Sequence, residues 1–600
     1  MLNKILNTIQ SSFKYFTFFY GYLKIKLLVV ILFSFLVSLL DALSISIFIP
    51  LLNTSDKNKT EGGQIDEYSK HVQDFLHFLN IPNTINYLLL VMLVFFILKG
   101  VFRYLDVHYR VFLISFFVKN IRSEQLNLIS HLRYSKFVKT DLGKIQNSIT
   151  KECDNVVFGY TQYISVFQNA IFVIVYLILS LFVNPKFSII VIFGGIVSNL
   201  IFRKVYVNSE NISFSISNKN NHFMSLVLQH ITNFKYLKAT NRAKDHKKMI
   251  ENVMHDIEDN QMKLGFISGL SLSLREPLLV LFLVGAIFLH INYFNGDIAS
   301  ILLILILLYR TFSSLMTVQT NWTGFLKYVG SIRFIKEVKK EFLSQQEIIE
   351  GKLFKSIDAT INVKDLSYSY NNEQIILNQV SLTIPANSSV AFVGRSGSGK
   401  TTLINLLIGL LEPTNGSISI DGVSLKEYNI ESYRGKVGLI TQEVVVFNDT
   451  LFNNVTFWDE KNEKNLTRFY EIIEKVDLTE FINNFNDKED LILGDNGVLM
   501  SGGQRQRLSI ARELYKENEI LVLDEATSAL DTETEKIIQQ SIDALKGSVT
   551  IIIIAHRLST IKNVDTIYLL NNGTIEASGS FNELLSQSTT FANMVKTQEL

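Results

Sequence analysis

The run Gly394-Arg-Ser-Gly-Ser-Gly-Lys400-Thr401 carries the residue types that hold a polyphosphate. Its glycines let a short loop turn tightly and aim backbone N–H groups inward. It follows the apolar run Ser389-Val-Ala-Phe-Val393 and opens an apolar-periodic segment, Leu403-Ile-Asn-Leu-Leu-Ile408. Strand, glycine loop and helix therefore come in the order a phosphate-binding loop requires, and the helix start adds partial positive charge. Gly394, Arg395, Ser396, Gly397, Ser398, Gly399, Lys400, Thr401 and Thr402 are assigned to the phosphates of ATP or GTP. Lys400 reaches the β- and γ-phosphates, and the Thr401 hydroxyl holds Mg²⁺.

Further chemistry lies downstream. Ile520-Leu-Val-Leu523 is a buried-strand run ending in Asp524-Glu525. An acid at that strand end sits beside the phosphate loop, so Asp524 is expected to bind Mg²⁺ through water, and Glu525 to polarise the attacking water as general base. Ile551-Ile-Ile-Ile554 is another buried strand, ending in Ala555-His556. His556 is placed to contact the γ-phosphate and hold base and water in line.

Met500-Ser501-Gly502-Gly503-Gln504-Arg505-Gln506-Arg507 resembles the signature motif of ATP-binding cassette (ABC) proteins. The resemblance covers the domain from about Asn362, and the preceding half resembles the exporter-type permease. It implies ATP as the nucleotide. Tyr370 looks like the aromatic that stacks on adenine. Gln442 looks like the Mg²⁺ and water sensor that also touches the membrane tips. Ser528-Ala-Leu-Asp531 looks like the loop that communicates between two ATP sites, and Gly494-Asp-Asn-Gly497 resembles the short exporter loop before the signature. Two departures stand out: Met500 replaces a usual leucine, and Asp495 stands where glutamate is frequent. Ser501, Gly502, Gly503 and Gln504, at a helix start, form a second anion site, which in this family meets ATP on a partner subunit. One phosphate loop and one signature make this chain half of a transporter, so the resemblance implies a homodimer closing around two ATP.

These residues need a platform, and the composition shows a divided chain. Six hundred residues exceed one core. Net charge is +1, which gives no reason to expect a nucleic-acid partner. The single cysteine, Cys153, cannot form an internal disulfide. Apolar residues concentrate before about Trp322. Six segments approach the ~20 apolar residues a spanning helix needs: Leu23–Leu52, Ile85–Leu105, Tyr160–Val183, Phe187–Val207, Leu264–Asn292 and Ile298–Phe312. The segments after spans two and four are rich in Lys and Arg, which places them, both termini and the nucleotide domain in the cytoplasm. Their tips, near Phe137–Gly143 and Ile231–Ala239, are expected to press on the nucleotide domain. The expected fold class is an α-helical membrane domain of about six spans fused to an α/β phosphate-loop ATPase domain. The expected divisions are an interfacial helix over residues 1–22, a permease over 23–325, a connecting helix and linker over 326–358, and the nucleotide domain over 359–600. Ile65–Ile81 reads as an amphipathic outer helix, guiding a lipid tail or capping the bundle.

Charges inside spans cost ~2.5–3.5 kcal/mol each on insertion scales. Asp41, Arg275, Glu276 and Arg310 are therefore informative. Either Arg275 or Arg310 pairs with Asp41 or Glu276, or Arg275 faces a cavity and meets an anionic group on the cargo. Pro277 should kink its helix. The sequence thus predicts a bacterial inner-membrane homodimeric exporter or flippase, hydrolysing ATP to move an amphipathic or lipid-linked substrate such as a lipid-linked oligosaccharide. A drug, lipid or peptide exporter is the alternative cargo class. An ATP-gated channel or regulator and a soluble cassette ATPase are the alternatives of another kind.

Overall fold

The computed structural model describes residues 15–48, 51, 82, 84–183, 185–293, 298–370, 374–524, 540, 542–555 and 558–598. The chain divides into two compact units, residues 1–132 with 136–346, and residues 133–135 with 347–600.

The first unit is helical. Residues 15–23 form a helical stretch. Beyond it lie Lys26–Ser46 (α1), Ile85–Ser130 (α2), Leu142–Ile149 (α3), Lys151–Val183 (α4), Pro185–Thr232 (α5), Phe234–Ala239 (α6), Ala243–Ser273 (α7), Arg275–Tyr293 (α8), Ile298–Leu326 (α9) and Val329–Leu343 (α10). Within the described residues the expected apolar segments fall on these helices, the first running a few residues beyond α1. With 46 and 48 residues, α2 and α5 are ~70 Å long, more than twice a ~30 Å hydrocarbon core. They extend well beyond a bilayer, as the sequence predicts. Leu90, Leu93 and Ile97 on α2 are exposed, as suits a helix solvated by lipid rather than water. The sequence places the end of the last span at Phe312, whereas α9 continues to Leu326. The polar residues after Phe312 satisfy themselves along the helix, as Thr317, Thr320 and Thr323 do by donating to the carbonyls of Ser313, Met316 and Gln319.

Helix α7 stops at Ser273 and α8 starts at Arg275, with a turn at Leu274. Pro277 is the cause: it cannot donate to the Ser273 carbonyl four residues back, and its ring crowds that oxygen. The expected kink is therefore present. Of the segment read as an interfacial helix, residues 1–14 lie outside the described residues. Its remainder turns inward: Phe19 is fully buried among Phe117, Tyr160 and Tyr163, with ring centroids 5.8, 5.4 and 5.1 Å away. Ile65–Ile81 also lies outside the described residues.

Two glycines set close helix approaches in the helical unit. A Cβ on Gly143 would stand 2.3 Å from the Ser225 backbone nitrogen, joining α3 to α5. A Cβ on Gly330 would stand 2.4 Å from the Ser213 carbonyl. There the Ser213 hydroxyl donates to the Lys327 carbonyl (2.6 Å) and accepts the Gly330 N–H (3.0 Å), so α10 is fastened to α5.

The intramembrane charges correct one expectation. Asp41 pairs with Lys99 and accepts a hydrogen bond from the Tyr176 hydroxyl, so among the described residues its partners are these and not Arg310. The reason is packing: α1 lies against α2 and α4, which carry Lys99 and Tyr176. A second pair, Asp106 with Arg110 (2.8 Å), is bridged by Gln168, which accepts from Arg110 (3.0 Å) and donates to Asp106 (3.3 Å). The Arg275 side chain lies outside the described residues.

The second unit is α/β. Thr360–Ser369 (β1), Ile375–Pro385 (β2), Asn415–Ile420 (β4) and Val423–Ser424 (β5) form an antiparallel sheet in the order β2-β1-β4-β5. Ser389–Val393 (β3), Val437–Ile440 (β6), Ile520–Asp524 (β7), Thr550–Ile554 (β8), Thr566–Asn571 (β9) and Thr574–Gly579 (β10) form a second sheet, ordered β10-β9-β3-β8-β7-β6. All neighbours in it are parallel except β10 with β9. Alternate residues along its strands feed two cores. Ala391, Val393, Leu521, Leu523, Ile551 and Ile553 face one side; Val390, Phe392, Ile520, Val522, Ile552 and Ile554 face the other.

Candidate nucleotide and transport site

Strand register gathers residues assigned to the phosphates and their cation. Phe392 on β3 pairs with Ile554 on β8, Ile554 with Asp524 on β7, and Leu523 with Ile440 on β6. The strands run parallel, so their carboxyl ends emerge along one edge. There the loop after β3, Ala555 after β8, Asp524 at the end of β7 and Gln442 after β6 come out together. This is where ligands bind on open α/β sheets. One expectation is refined: β8 lies between β3 and β7, so Asp524 is two strands from the loop, ~10 Å across the sheet, rather than next to it. The interposed strand is the one that leads to His556. Glu525, Ser528, Asp531 and His556 lie outside the described residues.

The loop itself is built for close approach. Gly397 and Gly399 have φ of 79° and 103°, in the left-handed region. Gly399 caps the helix Lys400–Leu407 (α11). A Cβ on Gly394 would lie 2.2 Å from the Leu570 carbonyl, whereas one on Gly397 would meet nothing within 4 Å. Gly397 thus borders open space. The Lys400 ammonium, buried, donates to the carbonyls of Gly394 (2.9 Å) and Arg395 (3.0 Å) at the mouth of the turn. The Ser398 hydroxyl is buried and has no hydrogen-bond partner among the described residues. A phosphate oxygen would satisfy it. Thr401 is exposed at the start of α11 while Thr402 is buried, so Thr401 is the one able to offer its hydroxyl to a cation. This donor set fits a magnesium–nucleotide complex. Tyr370 follows β1, is 40% exposed, and meets Tyr368 edge-to-face at 5.0 Å.

The signature forms a second anion-competent turn. Ser501 caps the helix Gly502–Tyr515 (α14) in a capping box: its hydroxyl accepts the Gln504 N–H (3.2 Å), and the Gln504 side chain accepts the Ser501 N–H (2.9 Å). This leaves the hydroxyl proton of Ser501 to donate outward. Ser501 and Gly502 are exposed, and a Cβ on Gly502 would meet nothing within 4 Å. Met500 is buried in the core beside α14, where leucine would fit equally. Asp495 accepts from the Asn448 side chain (2.9 Å), tying the short loop before the signature to the segment after Gln442.

A residue that sequence reasoning passed over organises this region. Arg512, on the buried side of α14, donates to the Asn454 carbonyl (2.8 Å) and the Val445 carbonyl (3.1 Å). It thereby links the signature helix to the stretch leaving Gln442. Burial pulls its pKa below the usual guanidinium range and pushes Glu513 beside it above the usual carboxylate range. The available signal was a charged pair, Arg512-Glu513, inside the apolar-periodic run Leu508–Leu514.

The helix after the phosphate loop and the helix after Ser501 pack on opposite faces of the sheet. Leu403, Ile404, Leu406 and Leu407 of α11 join one core, and Leu508, Ile510 and Ala511 of α14 join the other.

A phosphate loop at a parallel-sheet edge, a capped Ser-Gly-Gly turn and an apolar helical unit in one chain define a membrane-coupled nucleotide-binding cassette. The comparisons agree. Residues 27–320 match the ABC transporter transmembrane region and residues 377–528 match the ABC transporter family. The "ATP-dependent lipid A-core flippase" of Shigella sonnei (strain Ss046) is 30% identical over 518 residues, 85% of this chain and 88% of that protein. The "Heterocyst differentiation ATP-binding protein HepA" of Nostoc sp. (strain PCC 7120) is 29% identical over 457 residues, 76% of this chain and 75% of that one. A solved bacterial Atm1-family ABC exporter with ATP bound has the same fold, with a TM-score of 0.80 at 20% identity over 97% of this chain and 99% of that chain. The chain belongs to the ABC transporter family.

Proposed function

We propose that two copies of this chain form an ATP-driven exporter or flippase of the bacterial inner membrane, with both termini and the nucleotide unit in the cytoplasm. The observation that carries the proposal is the opposite-face placement of α11 and α14. The sheet separates the Ser501 turn from the phosphate loop of the same chain. A second copy can bring its own Ser501, Gly502, Gly503 and Gln504 against nucleotide held by Tyr370 and residues 394–402. Closing on ATP and parting after hydrolysis then gives a two-state motor. Thr401, Gln442 and Asp524 would hold Mg²⁺, which would supply positive charge to the phosphates when bound. Glu525 acts as general base and His556 as the γ-phosphate contact. The cargo is an amphipathic or lipid-linked molecule, in keeping with the lipid named for one relative, and Arg275 contacts its anionic group.

The test is the assembly state of Glu525→Gln with Mg-ATP in lipid nanodiscs, read by mass photometry. A dimer, with cassette closure requiring ATP, is expected. A monomer under those conditions would sink the proposal.

A further inference from the structure

Two histidines of the helical unit face each other across a helix pair. His230 lies in the last turn of α5 and His246 in the first turn of α7, 16 positions apart in the chain. Their Nδ1 atoms stand 3.1 Å apart, and their ring centroids 5.2 Å apart with planes inclined by 38°. Both side chains are half-buried, and the segment between them is α6 with its flanking turns. The pair is held on regular elements. α5 and α7 run antiparallel, and the same ladder carries Lys219 with Asp256 (2.7 Å) and Asn260 with Ser215 (3.4 Å). Phe234, at the head of α6, meets the His230 ring edge-on at 6.3 Å.

Two neutral imidazoles can share one proton between such nitrogens, one donating and the other accepting. The same nitrogens can instead meet one metal ion. At a zinc–imidazole bond length of ~2.0–2.1 Å, a 3.1 Å separation corresponds to an angle of about 98° at the metal, between the octahedral and tetrahedral values. A small turn of each ring aims its lone pair at the ion rather than at its neighbour. A displaced Nδ1 proton passes through water to Nε2 of the same ring, so both rings stay neutral.

The surroundings choose the metal. Residues 235–248 carry five lysines and an arginine against one aspartate, and that Asp245 pairs with Arg242 (2.9 Å). A hard cation, which needs carboxylate and carbonyl oxygens, meets repulsion there. A borderline ion such as Zn²⁺, Cu²⁺ or Ni²⁺ binds through the nitrogens themselves. Among the described residues no third histidine, cysteine or carboxylate joins the pair. Water would complete the coordination, as in an exchangeable site rather than a closed structural one.

We infer that His230 and His246 form a binding site for a borderline divalent metal ion that staples the end of α5 to the start of α7. An occupied site holds α6 between two fixed helix ends. Neither ATP nor cargo takes part.

The test is zinc binding to the full chain in detergent, without nucleotide, by isothermal titration calorimetry. Losing an outer hydrogen-bond partner of a metal ligand costs ~10–100-fold in affinity. Losing one of two ligands should cost at least as much, so His230→Asn and His246→Asn should each weaken Zn²⁺ binding ~100-fold. Millimolar Mg²⁺ should not compete. His246→Cys keeps a zinc ligand at that position and should bind at least tenfold more tightly than His246→Asn. In hydrogen exchange, Zn²⁺ should slow the amides of Leu237 and Arg242, which donate to the carbonyls of Asn233 and Leu237, and should leave them unchanged in His230→Asn. Zinc affinity unchanged in both asparagine variants would overturn the inference, because the ion would then sit on other side chains. Loss as complete in His246→Cys as in His246→Asn would overturn it too, tracing the effect to packing. Competition by Mg²⁺, or bound zinc that leaves exchange around α6 unaltered in wild type, would also count against it.

Discussion

Lys99→Met tests whether the membrane unit is held together as described. Asp41 is 4% exposed and accepts from two groups, the Lys99 ammonium and the Tyr176 hydroxyl. Removing one partner of a buried ion pair costs ~3–5 kcal/mol, because the other charge stays buried. Tyr176 keeps one hydrogen bond to Asp41, so the lower end, ~3 kcal/mol, is expected. The reverse change, Asp41→Asn, strands a lysine that is 22% exposed and can relax toward polar surroundings, and should cost ~1 kcal/mol. The double variant carries neither charge and should recover ~2 kcal/mol relative to the sum of the singles. The molecule contains its own probe. Cys153 is the sole cysteine and is fully buried in the same unit. Burial pushes its thiol pKa to about 12, so it stays unreactive until that unit opens. A thiol-reactive fluorophore followed during heating should therefore show Lys99→Met losing ~6 °C, at ~2 °C per kcal/mol. Singles that cost the same as each other, or a double variant that equals their sum, would refute the pairing.

Gly394→Ala drives a Cβ against the Leu570 carbonyl, while Gly397→Ala meets only open space and an unfavourable φ. Nucleotide titration with a fluorescent ATP analogue should show the first weakening binding ~30-fold or more and the second under tenfold. Arg512→Met removes the donors to Asn454 and Val445 and should lower ATP turnover more than tenfold in a steady-state phosphate-release assay. Glu152, fully buried where α4 begins, has its pKa raised by burial, against hydrogen bonds from Ser331, Ser217 and Asn147. Its folded form holds the proton more tightly than its unfolded form. That contribution is complete below the ordinary carboxylate value of 4.5 and is lost as pH climbs toward the raised folded value. Thermal midpoints of the first unit should fall over that window in wild type and be flatter in Glu152→Gln; identical slopes would contradict the assignment.

Much of this was legible in residues because local chemistry determined it. The glycine spacing of 394–399 dictates a left-handed loop, the Ser501 and Gln504 spacing dictates a capping box, and Pro277 dictates the break at Ser273. The long apolar helices followed from length and composition. What depended on pairing between distant segments was not legible. Lys99 and Asp41 are 58 positions apart, and only the packing of α1 on α2 makes them partners. Sheet order was likewise hidden, because a buried strand such as Ile551–Ile554 looks the same at any position in a sheet. The burial of Phe19 in protein, within the segment expected to lie along the membrane, was hidden too, because a helix that buries one side in lipid and one that buries it in protein share the same apolar spacing.

The most direct measurement is lipid movement in sealed proteoliposomes carrying a fluorescent phosphate-bearing lipid, with ATP added to the side of the nucleotide units. Wild-type protein should move the lipid only while ATP is hydrolysed, and Glu525→Gln should bind ATP yet move none. Equal movement without ATP, or in Glu525→Gln, would contradict an ATP-driven pump and indicate a passive pathway instead.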